Sequence, residues 1–205
     1  MPLTLTTVNP KGGTGKTTVA VHLAVACHRE GYSTKLLDAD PQGSALDWRK
    51  RTPEEYDGPP VEHVASEERL APAVGGADVV VVDSPARLDE RTGAVLSVAD
   101  LALVPVRPSG LDLWGTAEFL DVLGDHTGAG LQAVFVASQR DVRTSLSEEL
   151  QEVLAGRGLP LLDGLTSRVA YARSLSEGKT VLDGYDSTAE AEVHQLLRDV
   201  GEILS

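Results

Sequence analysis

Eight residues near the start of the chain, Lys11-Gly12-Gly13-Thr14-Gly15-Lys16-Thr17-Thr18, restrict what it can fold into more than any other feature. They follow a β-branched, apolar run, Leu3–Val8, and lead into a helical pattern over Thr17–Glu30. Glycines there let the backbone turn its N–H groups inward, and the following helix points its positive end at the same place. Such a loop cradles phosphate oxygens. Lys16 would reach the β- and γ-phosphates and the Thr17 hydroxyl would ligate Mg²⁺. The segment Lys11–Thr18 is therefore expected to bind a nucleotide.

The rest of the chain alternates in the way such a loop requires. The runs Leu3–Val8, Ser33–Leu37, Val79–Val82, Leu101–Val106 and Leu131–Ala137 read as strands, and two of them, Val79–Val82 and Leu101–Val106, are almost continuously apolar. Strands covered on both faces have that composition. Helical patterns separate them at Thr17–Glu30, Ser44–Lys50, Ser66–Val74, Asp89–Ala99, Thr116–Asp125 and Ser145–Arg157, with a last one from an N-cap at Ser187 to Leu204. Strand and helix in alternation predict an α/β fold, a single-domain doubly wound and mostly parallel sheet with helices on both faces. Its ligand edge is the one carrying the loops after the strands. At 205 residues one domain is expected, large enough to hold together without disulfides or metal. Arg51–Pro60, with Pro53, Gly58, Pro59 and Pro60, reads as a loop that leaves the sheet.

Two details narrow the phosphate loop further. Pro10 stands where the general pattern has its first glycine, and a second lysine, Lys11, sits inside the loop. This arrangement resembles the deviant Walker A motif of the ParA/MinD superfamily, whose extra lysine reaches across a nucleotide-sandwich dimer to the partner's phosphates. A cation delivered from a second subunit neutralises charge developing on the phosphates, as an arginine finger does. Leu36-Leu37-Asp38-Ala39-Asp40-Pro41-Gln42 is similar to the family's second motif. The resemblance makes Asp40 the residue that orients the attacking water, with Asp38 supporting Mg²⁺ through water. Val79-Val80-Val81-Val82-Asp83-Ser84-Pro85 is similar to the Walker B segment, with Asp83 holding the metal through its waters. The candidate catalytic residues are thus Lys11, Lys16 and Asp40, the nucleotide-binding residues Lys11 to Thr18, and the metal-side residues Thr17, Asp38 and Asp83.

The short length and the stretch Pro105–Trp114 look most like the small plasmid ParA proteins of the ParF type, which lack an N-terminal helix-turn-helix domain. The resemblance implies an ATPase with ATP and Mg²⁺ as cofactors and weak activity on its own. It would form a homodimer on ATP, coat nucleoid DNA without sequence preference, and be stimulated by a ParB-like centromere-binding partner. The expected location is cytoplasmic and nucleoid-associated, and the expected role is DNA segregation. Candidate DNA contacts are Arg140, Arg143, Arg168, Arg173 and Lys179, since phosphate contacts need only a local cationic strip.

Charge complicates that reading. The chain carries a formal net charge of −13, and Asp141, Glu148, Glu149 and Glu152 lie among the candidate arginines. Ser167–Lys179 is alternatively a wall of the adenine pocket. Two further roles fit the same ATPase: positioning a protein cargo, such as a microcompartment or a chemoreceptor cluster, or following a membrane gradient as MinD does. The membrane role calls for a basic amphipathic tail, whereas 190–205 holds Glu190, Glu192, Asp199 and Glu202 against Arg198 and His194. No membrane partner is expected. A cluster-bridging ATPase would need paired cysteines, and Cys27 is the single cysteine, expected to face the core of the first helix. Trp48 and Trp114 read as packing residues rather than base-stacking platforms.

Overall fold

The computed structural model describes residues 2–107, 117–141 and 158–205, with the side chains of Ala117 and Glu118 excepted. Seven strands form one sheet: β1 (Leu3–Thr7), β2 (Thr34–Asp38), β3 (Val61–His63), β4 (Val79–Asp83), β5 (Leu101–Val106), β6 (Gln132–Arg140) and β7 (Leu161–Thr166). Their order is β3-β2-β4-β1-β5-β6-β7, and every pair is parallel. The described helices are α1 (Lys16–Arg29), α2 (Ser44–Arg51), α3 (Glu67–Ala73), α4 (Glu90–Val98), α5 (Ala117–Gly128), α6 (Val169–Ser176) and α7 (Ser187–Leu204). The expected doubly wound sheet is present, and parallel throughout.

Alternate residues of the central strands serve two cores. Leu5, Leu36, Val81, Leu101, Leu103, Val134 and Val136 pack against α1 and α7 on one face. Ala102, Val104 and Phe135 pack with α4 and α5 on the other, and Leu37, Val80 and Val82 with α3 and α4. Apolar side chains in both phases of the pleat are what make Val79–Val82 and Leu101–Val106 read as uninterrupted apolar runs. At about 25 cal/mol per Å², sheet burial on both faces is the main driving force of such a fold.

Differences from the sequence reading are local. β3 is an addition to the expected strands, because only Val61 of its three residues is apolar and all three are partly or fully exposed at the sheet edge. β7 and α6 are additions for a related reason. Leu161–Thr166 mixes Asp163 and Gly164 into the strand, and Val169–Ser176 lies within the segment read as basic surface. The cap of α7 is Asp186, whose carboxylate accepts from Thr188 and Ala189 N–H, rather than Ser187. Arg51–Pro60 does leave the sheet, but Tyr56 returns to pack against the α1 core. Trp48 is buried, donates from Nε1 to the Lys179 carbonyl at 3.0 Å and meets Tyr56 edge-on. Cys27 is buried as expected. Arg143, Trp114 and the helix expected over Ser145–Arg157 lie outside the described residues.

Candidate functional site

The carboxyl ends of β1, β2 and β4 converge at the start of α1, which is where an open parallel sheet binds ligands. Asn9 shapes the loop between them: its Nδ2 donates to the Pro105 carbonyl at 2.8 Å, and its Oδ1 accepts from Lys11 N–H at 2.9 Å. The loop is thereby tied to the end of β5. Gly15 caps α1 with φ 96, with no side-chain cap hydrogen bond and no acidic residue in the first turn among the described residues, so the helix presents its positive end to the loop. A Cβ at Gly15 would lie 2.4 Å from Ser138 Oγ, so glycine is needed there both for conformation and for the approach of β6. Gln139, held at φ 55, donates from Nε2 to the Gly13 carbonyl at 2.9 Å.

Lys16 is buried, and its ammonium donates to the Lys11 carbonyl at 3.2 Å. Burial pulls its pKa below the ordinary lysine value, and the charges of Asp83 and Asp40 act against that pull. Asp83 has no exposed surface. Its Oδ1 accepts from Thr7 Oγ1 at 3.4 Å, the Thr17 hydroxyl hydrogen-bonds the same carboxylate, and Oδ2 has no partner among the described residues. The neighbouring Ser84 Oγ is likewise buried and, among the described residues, unpartnered. Burial raises the Asp83 carboxyl to about 7, with hydrogen bonding to Thr17 and the charge of Lys16 opposing and Asp38 and Asp40 reinforcing the rise.

Two orphaned buried oxygens beside an anchored hydroxyl suit a hydrated divalent cation, which keeps several waters and bonds to acidic groups through them. Thr17 and Asp83 are the groups that would hold Mg²⁺ there. Bound magnesium would neutralise charge on the phosphate oxygens. Asp38 sits deeper: Oδ1 accepts from Asp40 N–H at 3.2 Å and Oδ2 from Leu46 N–H at 2.8 Å. It ties the end of β2 to α2, and burial raises its pKa despite those bonds. Asp40 is partly exposed at the mouth, with Oδ1 accepting from Gln42 N–H at 2.9 Å, so its other oxygen is available to a water. Lys16, Asp40 and Asp83 thus stand around one place, with the Lys11 carbonyl on the Lys16 ammonium.

A cleft of about 200 Å³ opens on the other side of the loop, between Gly15 and Thr18 and the β7–α6 connection at Thr166–Arg168. Tyr171 and Ala172 complete its wall. Part of Ser167–Lys179 therefore borders the loop, as the adenine-wall alternative requires. The described arginines in the cationic set already face carboxylates: Arg140 with Asp163 at 3.4 Å, Arg168 with Glu192 at 3.1 Å, and Arg173 with Glu177 at 3.1 Å. Lys179 is partly buried beside Trp48.

Residues 5–181 match the family described as the CobQ/CobB/MinD/ParA nucleotide binding domain. The chain belongs to that family. Among curated relatives it is 32% identical to the "Maintenance of carboxysome distribution protein A" of Halothiobacillus neapolitanus, over 96% of this chain and 95% of that protein. It is 28% identical to the chromosome-partitioning ATPase Soj of Thermus thermophilus, over 93% and 92%. Among solved structures, the septum site-determining protein MinD of Pyrococcus horikoshii with Mg-ADP superposes with a TM-score of 0.76 at 20% identity, covering 100% of this chain and 98% of that one. That similarity concerns the fold. Sequence reasoning missed Asn9, Thr7, Ser84, Ser138 and Gln139 around the loop, because each acts through a neighbour that is close only in the folded sheet.

Proposed function

We propose that this chain is an ATP-dependent positioning ATPase, one domain over 1–205, whose cargo is a large protein assembly of the microcompartment type. The observation that carries the cargo is the 32% identity, end to end, with a carboxysome-distribution protein. DNA partition with a ParB-like partner, the primary expectation from sequence, is supported by a lower identity of 28% to Soj and stands as the second reading, the likeness to ParF-type proteins with it. In either case ATP and Mg²⁺ bind at Lys11–Thr18, and Thr17 and Asp83 hold the metal, with Asp38 keeping the β2 end in place behind it. Lys16 stabilises the phosphates, Asp40 aims a water at the γ-phosphorus, and Lys11 serves the partner subunit of an ATP-induced homodimer. Turnover is weak until a partner protein stimulates it. The dimer uses non-specific nucleoid DNA in the cytoplasm as its track, with Arg140, Arg143, Arg173 and Lys179 as candidate contacts, while Arg168 stays with its internal carboxylates.

Deletion of the gene, with fluorescent tagging of microcompartment shells in the same cells, tests the cargo. Scattered or clumped shells with unchanged plasmid and chromosome inheritance support the proposal. Normally spaced shells with raised plasmid or chromosome loss would replace it with the second reading. Purified protein provides the accompanying check: binding to random-sequence duplex DNA is expected with ATP and not with ADP, and to weaken steeply with salt.

A further inference from the structure

The cleft beside the phosphate loop has one wall that belongs to the loop and α1 and another that is held from outside the sheet. The outer wall starts where the β6–β7 ladder loses its regular register, between Val136 and Arg140, so strand pairing alone does not fix it. Its principal grip is one carboxylate from α7, Glu192, beside the Ala189 carbonyl, which lies 3.1 Å from the Tyr171 hydroxyl. Glu192 Oε2 accepts from Thr166 N–H at 3.0 Å and from the Tyr171 hydroxyl at 2.7 Å. Its Oε1 accepts from Thr166 Oγ1 at 2.6 Å and from Arg168 Nε at 3.1 Å. Arg168 also reaches Asp186, the N-cap of the same helix, at 3.6 Å. The Tyr171 ring meets His22 edge-on at 5.2 Å, so the wall is clamped between α7 and the helix that starts at the phosphate loop.

Glu192 does not line the cleft. Every group it holds does, or immediately flanks one that does. Four hydrogen bonds to one charged acceptor, only 16% exposed, exceed what packing a helix end requires, and charge-assisted bonds of this kind fix geometry strongly. Burial opposes the charge on Glu192, yet the donors from Thr166, Tyr171 and Arg168 hold its pKa below the ordinary glutamate value.

We infer that Glu192 is a positioning residue for the base-and-sugar side of the nucleotide site, acting through Thr166, Arg168 and Tyr171. The inference rests on the nucleotide reading above. If the phosphates occupy the loop, the remainder of the ligand enters this cleft, and Glu192 sets its width without touching the phosphates. A nucleotide and a bare polyphosphate must then respond differently to its loss.

Titration calorimetry of the 205-residue chain with ATP and with inorganic tripolyphosphate, both with Mg²⁺, makes that comparison. Glu192→Ala is expected to weaken ATP about tenfold and to leave tripolyphosphate within about twofold, a tenfold change being about 1.4 kcal/mol. Glu192→Gln keeps one accepting oxygen and is expected to lose less, which serves both as partial rescue and as the fallback if the alanine variant does not fold. ATP affinity unchanged in a folded variant overturns the inference. An equal loss for both ligands also overturns it, since that marks general loosening. If the wild-type chain binds neither ligand, the nucleotide reading itself fails and the inference falls with it. Tripolyphosphate binding without any gain from the nucleoside would leave the phosphate loop standing and reject the role of Glu192 alone.

Discussion

His22 lies in the middle of α1, has no exposed surface, and makes two hydrogen bonds that require a neutral ring. Thr18 O, 2.7 Å from Nδ1, can only accept, and Val181 N–H, 3.2 Å from Nε2, can only donate. Nδ1 therefore carries the proton, and a second proton on Nε2 would face an N–H. Burial accordingly lowers the pKa from 6.5 to about 4, against the opposing pull of the Thr18 carbonyl and Asp183. The sign follows from linkage. A histidine depressed in the folded state contributes stability that is fully present above its unfolded pKa and is lost as pH falls, because the unfolded chain takes up the proton first. Over the whole span from 6.5 to about 4 the loss is roughly 3.4 kcal/mol, at about 1.36 kcal/mol per unit. By pH 5.5, still above the sequence pI of 4.7 where association sets in, about 1.4 kcal/mol is gone. His22→Gln removes the titration, while every other titrating group remains common to both proteins and cancels in the difference. Urea unfolding at pH 7.5 and pH 5.5 measures it. The stability gap between wild type and variant is expected to shrink by about 1.4 kcal/mol on acidification, whatever its size at pH 7.5. A gap that stays constant would show that His22 titrates as it does in the unfolded chain, and the argument from burial would fail.

Two glycine-to-alanine changes should act in opposite directions. A Cβ at Gly178, with φ +69, would lie 2.3 Å from the Arg51 carbonyl carbon and oxygen, backbone that cannot step aside, so Gly178→Ala should lower stability by roughly 3 kcal/mol or more and shift thermal unfolding downward. Gly201, inside α7 with nothing within 4 Å of an added methyl, should gain about 0.5–1 kcal/mol as alanine in the same assay. Lys16→Ala should abolish ATP binding, whereas Lys11→Ala should keep it and lose dimerisation on a non-hydrolysable analogue, read by light scattering; a mutant that still dimerises removes the cross-subunit role. Asp40→Ala should bind ATP, accumulate the dimer and lose at least about a hundredfold in turnover, within the range ascribed to a positioned base; undiminished hydrolysis would move water activation elsewhere.

How much of the fold is legible in the sequence varies with the reach of each interaction. The phosphate loop is visible because its chemistry is contiguous: glycines, lysine and hydroxyl follow one another within Lys11–Thr18. Five strands are visible because each is a β-branched or apolar run, and two of them, Val79–Val82 and Leu101–Val106, fill both phases of the pleat with apolar residues. β3, with two exposed polar residues, has no such signature and exists by pairing with β2 through Leu36↔Val61 and its neighbours. Asp38 and Asp40 look alike in sequence, two residues apart. In the fold one is sealed under α2 with both oxygens engaged, and the other stands at the mouth.

Local order along the chain therefore determined the fold class, the position of the loop and the identity of its cationic and hydroxyl groups, since those depend on residues adjacent in sequence and on a repeating pattern of burial. Tertiary structure decided which groups are alone and which are held. It left Asp83 Oδ2 and Ser84 Oγ buried without partners among the described residues, beside the Thr17 hydroxyl, and drew Arg168 onto Glu192. Arginine and glutamate, 24 residues apart, carry no mark of that pairing in the sequence. Packing α7 against β7 creates it, because a half-buried carboxylate must find donors where the sheet places them.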